Sequence, residues 1–104
     1  MSSKVYITGI GIVTAIGKNV NENLLSLQEE RAGISKMTLI DSVHKDEIPV
    51  GEVKLNNEEL IEELGLSKEE AYTRTALLGI KAAKEAIESS SIKDICNVKT
   101  GIVS

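Results

Sequence analysis

Phenylalanine and tryptophan are absent from this 104-residue chain, and its two tyrosines are its only aromatic residues. That composition excludes a stacking platform for nucleic-acid bases, which needs several aromatic faces. Basic excess is missing as well. The formal net charge is −4 and the pI about 5.0, whereas nonspecific nucleic-acid binding calls for a basic face. One cysteine, Cys96, cannot make an internal disulfide framework and fits a reducing cytoplasm. No apolar run approaches the ~18 residues of a membrane span, and no signal-peptide pattern opens the chain. What is present, 41% hydrophobic and 27% charged residues, reads as one folded globular domain over residues 1–104 with no second domain.

Residues 4–13 are apolar on both faces, with Val5, Ile7, Ile10, Ile12 and Val13. Such a run predicts a central strand covered on both sides, as in a parallel or mixed α/β sheet. A turn closed by Gly17 follows. Asn19 and Glu22 then have capping-box spacing, and open a helix with Leu24, Leu25 and Leu27 on its apolar face and Gly33 as its stop. "IPVGEV" (48–53) predicts a short strand, with Pro49 favouring an edge. Asn56 and Glu59 cap a short acidic helix that Gly65 ends. Ser67 and Glu70 predict a long helix to about Ser89, with Tyr72, Ala76, Ile80, Ala83 and Ile87 as its buried stripe and Leu77 beside it. Gly79 in mid-helix implies close packing against a neighbour, because glycine there costs about 1 kcal/mol. "VKTGIVS" (98–104) predicts a last strand. The order is strand, helix, strand, helix, helix, strand, and the two apolar strands demand more cover than three helices provide.

Gly9 and Gly11 have the spacing that begins a dinucleotide fingerprint, G-x-G-x-x-G. The third position is Thr14, and Ile12 and Val13 continue the apolar run. A Walker-type loop fails too, since Gly17-Lys18 leads into Asn19. The better reading is that Gly9 and Gly11 let a neighbouring backbone or helix approach the strand closely.

"VYITGIGIVTAIG" resembles the opening strand and turn of the β-ketoacyl-acyl-carrier-protein synthases, V-x-I-T-G-x-G-x-V-[ST]-x-x-G. Val5, Ile7, Thr8, Gly9, Gly11, Val13, Thr14 and Gly17 fall on that pattern. The resemblance continues through "AGI" (32–34), "IPVGEV", "RTALLGIKAAKEAIESSSI" (74–92) and "KTGIVS" (99–104), in the family's order. It departs at Ala15, where the family often has proline, and at Ser90 and Ser91, where it often has glycine. The resemblance implies the N-terminal part of a thiolase-like fold, an α/β architecture with a mixed sheet and packing helices, incomplete in this chain. It also implies a usually dimeric enzyme of fatty-acid or polyketide assembly. The family reaction is a decarboxylative Claisen condensation of an acyl thioester with malonyl-acyl-carrier protein, using a cysteine nucleophile and two histidines.

None of that catalytic set is expected within these residues. Cys96 in "DICNV" lacks the family's surroundings and precedes the strand that the family's cysteine follows, so it reads as a small semi-buried residue. His44 is the only histidine, and sits in the charged stretch "DSVHKDE" (41–47). Glu58, Glu59, Glu62 and Glu63 read as a solvated helix face, not a catalytic carboxylate pair. No ligand spacing predicts a metal or other cofactor. For the intact enzyme the resemblance implies acyl-carrier protein as a partner, and Lys68 and Arg74 are the candidate docking residues. Glu69 and Glu70 dilute that patch, and Glu70 with Arg74 has the spacing of an i,i+4 ion pair. Two other readings stand beside this one: a free-standing α/β module that associates through "GIVS", with a second copy or another chain, and a non-condensing partner subunit of a synthase. A small nucleotide-binding protein is a further class, weakened by the missing third glycine. The expected chain has no turnover alone, self-associates, and touches neither nucleic acid nor membrane.

Overall fold

Three α-helices form where the chain supplies its own caps. The computed structural model describes residues 3–104. Helix α1 (Val20–Gln28) starts at Asn19, whose side chain accepts the Glu22 N–H, while the Glu22 carboxylate reaches back to the Lys18 N–H at 2.7 Å. Helix α2 (Asn57–Leu64) has the full reciprocal capping box, Asn56 with Glu59, and Gly65 ends it at φ 67°. Helix α3 (Arg74–Ser89) begins at Thr73, not at Ser67 as the spacing predicts. The Ser67 hydroxyl serves only the Glu69 N–H, the Thr73 hydroxyl takes the Ala76 N–H, and residues 67–73 stay a turn that lays Tyr72 on the core. The predicted Glu70–Arg74 pair is consequently not made, because Glu70 lies outside the helix and accepts the Tyr72 hydroxyl instead.

Two helix ends use the same closure. The Leu66 N–H bonds to the Ile61 carbonyl after α2, and the Arg31 N–H to the Ser26 carbonyl after α1, each pair spanning the reversal of a Schellman motif. In α1 the left-handed residue is Glu30, at φ 55°, so Gly33 is not the stop.

The core lies between α2 and α3. Leu55, Leu60 and Leu77 are buried, and Val53, Ile61, Leu66, Tyr72 and Leu78 pack against them. Burying a leucine side chain is worth about 1.5–3 kcal/mol, so this small cluster is the main apolar contribution the chain makes by itself.

The mixed sheet is not formed. Among the described residues there is no strand, only two isolated bridges, Thr14 with Gly17 and Ser35 with Val50. Residues 4–8 and 98–104 are exposed: Val5 is 92% accessible, Ile102 94% and Val103 100%. Among the described residues no ladder of backbone bonds forms along either segment. A strand satisfies its backbone only against a neighbour, and the segment around Gly9 is bonded along α3 instead. Two apolar faces expected inside also point outward. Leu24, Leu25 and Leu27 of α1 are exposed, while Asn23 and Ser26 are buried; Ile80, Ala83 and Ile87 of α3 are exposed, with only Leu77 fully inside.

Candidate functional site

The glycine motif is a helix-docking device. A Cβ built on Gly9 would stand 2.0 Å from the Ala86 carbonyl oxygen, and one on Gly11 1.8 Å from that of Ala82. Two residues of extended chain advance about 6.6 Å. Four residues of helix advance about 6.0 Å. The glycines therefore meet successive turns of α3, with the segment running antiparallel to it. Backbone groups of this segment bond to side chains on the same helix face. The Ile10 N–H donates to Ser89 Oγ at 2.9 Å and the Ile12 N–H to Glu85 Oε2 at 2.9 Å. Glu85 Oε1 also accepts the Val20 N–H at 2.8 Å, so one carboxylate joins the glycine segment to the first turn of α1.

The turn after the motif is held by the polar face of α1. Thr14 and Gly17 exchange backbone bonds of 2.9 and 3.3 Å. Asn23 accepts the Thr14 hydroxyl and donates to the carbonyls of Gly17 (3.1 Å) and Asn19 (2.7 Å), while the Ser26 hydroxyl donates to the Ile16 carbonyl at 2.6 Å. Their burial follows, since polar groups go inside only when they are paired. Sequence reasoning missed Asn23, Ser26 and Glu85. The legible signal was a polar pair three residues apart inside a leucine-rich helix.

A second constellation centres on Glu52, which is buried. Its Oε1 accepts the Thr38 N–H at 2.6 Å as well as the Thr38 hydroxyl, and its Oε2 accepts the N–H groups of Leu39 (3.1 Å) and Ile40 (3.2 Å). The Thr38 hydroxyl, with the three backbone donors adding to it against the cost of burial, lowers its pKa from 4.5 to about 2. Lys54 Nζ lies 3.7 Å away and donates to Ser35 Oγ at 2.7 Å. Glu52 too was missed, because nothing local marks it as a ligand of backbone.

The sequence-predicted candidates are scattered. Arg74 turns inward, donating to the carbonyls of Leu55 and Val53, both at 2.8 Å, and to Asn57 Oδ1 at 3.2 Å. Its charge ties the core loop to the start of α3, while Lys68 stands exposed in the turn before it. Cys96 is exposed rather than semi-buried, in a 3-10 turn (Ile95–Asn97) whose Asp94 side chain accepts its N–H. His44 is exposed, 3.2 Å from Glu47. Of the acidic face of α2, Glu63 pairs with Lys81 of α3 at 2.6 Å. Gly79 has no atom within 4 Å of a built Cβ, so the close neighbour predicted for it is not there.

Between the start of α1, the end of α2 and α3 lies a charged cleft of about 340 Å³. Lys81 and Glu63 in it pair with each other and Glu85 accepts backbone N–H groups, while Lys18, Lys84 and Glu88 also line it. Among the described residues no three His, Cys, Asp or Glu side chains gather as a metal centre requires, and no helix is long and apolar enough to cross a membrane. Comparison with protein-family models, with curated proteins and with solved structures finds no match for this chain.

Proposed function

We propose that this chain is the opening segment of a 3-oxoacyl-[acyl-carrier-protein] synthase, a scaffold portion of a thiolase-like fold whose condensing residues it does not itself carry. The observation that carries the reading is the environment of the apolar segments. Residues 6–9 and 98–100 flank an open groove of about 360 Å³ over Ala86 and Ile87 of α3. Both have the composition of sheet strands, and neither has a strand partner among the described residues. The glycines of the family-like motif are explained by the approach to α3, which removes the need for a phosphate. With one cysteine and one histidine, a Cys-His-His set cannot be assembled from a single copy of these residues. Acyl-carrier protein is the partner of the proposed whole enzyme. Within this chain Lys68 is the better of the two docking candidates, because Arg74 is committed to backbone carbonyls.

The test is to express the full product of the source reading frame and to assay carbon dioxide release and 3-oxoacyl product from malonyl- and acyl-carrier protein. Turnover lost on replacing a cysteine in a D-x-A-C-like segment supports the proposal. A product that keeps the fold but lacks that cysteine, and binds a condensing subunit, is a non-condensing partner subunit instead. A product with neither the segment nor two histidines overturns the reading. The exposed Ile80–Ala83–Ile87 face favours one second reading, an association module, which a stable self-assembled species without acyl-carrier binding would support.

A further inference from the structure

We propose that residues 36–49 form a strap that opens as one unit, held shut by a single latch, the Glu52 carboxylate. The strap's neck is the bridge between Ser35 and Val50, with backbone bonds of 3.0 and 2.8 Å. Beyond the neck its hydrogen bonds are local: the Lys45 N–H to the Ser42 carbonyl, and those of Glu47 and Ile48 to the His44 carbonyl. Most of its side chains are exposed, Val43 at 91%. Apart from the contact between the neighbours Ser35 and Lys36, every described hydrogen bond from the strap to the rest of the chain ends on Glu52. The donors are consecutive, Thr38, Leu39 and Ile40, so they let go together once the acceptor is lost. Opening draws Leu39 from a cleft of about 400 Å³ that it shares with Asn56, Asn57, Glu58 and Arg74. The donors of Arg74 are held by the core loop and not by the strap, so the cleft's far wall stays in place. The latch is local because the buried leucines lie in α2, α3 and the loop before α2, outside the strap.

Amide hydrogen exchange on the 104-residue chain tests this directly. In the wild type the Thr38, Leu39 and Ile40 amides are protected to a common degree. Their exchange depends less on denaturant than that of Leu60 and Leu77, buried residues whose amides bond to the cap carbonyls of Asn56 and Thr73. Glu52→Gln places an amide N–H₂ against backbone donors and raises exchange at all three strap amides by about 10-fold or more, hydrogen bonds to charged groups being among the stronger ones. Leu60 and Leu77 stay within about 2-fold, as expected of separate cooperative units. Thr38→Val removes one donor, keeps the carboxylate, and shifts the same three amides by less. It stands as the test should Glu52→Gln not fold. The proposal is overturned if the wild-type strap amides exchange at unprotected rates, if the three respond separately, or if Leu60 and Leu77 accelerate by the same factor.

Discussion

At the scale of single residues, the strongest constraints come from atoms that are missing and from one that is charged. Gly11 has no Cβ because the Ala82 carbonyl occupies that place, and the obstructing atom is helix backbone, which cannot turn aside as a side chain would. Gly11→Ala should lower stability by at least about 1–3 kcal/mol, the usual cost of overpacking, and thermal or urea unfolding would measure it. An unchanged midpoint would mean that the segment does not sit on α3. Gly79→Ala is the control, since nothing lies near that position and alanine is the better helix former by about 0.8–1.0 kcal/mol. Glu52 supplies the pH dependence. Its folded pKa of about 2 lies below the ordinary 4.5, so its contribution is complete above 4.5 and is lost as the pH falls toward 2. Lys54 Nζ lies 3.7 Å from the Glu52 carboxylate. An acid titration of the unfolding midpoint should therefore fall between pH 4.5 and 2 with a component that Glu52→Gln removes. Parallel curves for the two proteins would rule this assignment out.

At the scale of elements, helix ends decide more than helix faces. The closures of α1 and α2 are alike in hydrogen bonding but differ in the left-handed residue, Glu30 in one and Gly65 in the other. A side chain in that conformation costs about 1–2 kcal/mol, so Glu30→Gly should stabilise the chain and Gly65→Ala should destabilise it by similar amounts. Opposite shifts in the urea midpoint at unchanged slope would bear this out, whereas shifts of the same sign would contradict it. The caps were legible in the sequence because they are local: Asn19, Asn56 with Glu59, and Gly65 each act within four residues. The close approach at Gly9 and Gly11 was legible as well, though not which helix came near. The start of α3 was misread because Ser67 and Thr73 are both competent caps, and the choice turned on Tyr72 reaching Leu55, Leu60 and Leu77. The leucine face of α1 was misread for a related reason. Thr14, Ile16 and Gly17 offer a turn that only Asn23 and Ser26 can satisfy, so the polar side faces in. Glu52 and Glu85 were illegible, since their partners, backbone N–H groups and for Glu52 also the Thr38 hydroxyl, are distant in sequence.

At the scale of the whole molecule, the surface is too large for the mass. The chain exposes 8419 Å² and has a radius of gyration of 16.6 Å. A compact monomer of this mass would expose about 5,700 Å². Its radius would be about 13 Å. Much of the excess is apolar: residues 4–8 and 98–104, the leucines of α1, and the Ile80–Ala83–Ile87 stripe. An excess of about 2,700 Å² on one chain is larger than the share, about half of a 2,000–5,000 Å² total, that each partner gives to an obligate interface. Sedimentation of the purified chain should accordingly show a concentration-dependent rise in mass across the micromolar range. Ile80→Lys with Ile87→Lys, at positions 37% and 39% exposed, should weaken that association, with the unfolding free energy of the dilute chain measured alongside to separate lost association from lost packing. If the double variant associates as before, the extended segments and not α3 form the contact, and a charged substitution at Val5 or Ile102 should then break it. A chain that stays monomeric at millimolar concentration, with one cooperative transition, would show instead that the α2–α3 core holds this open form without a partner. The apolar segments would then owe their exposure to the chain's own fold and not to a missing neighbour.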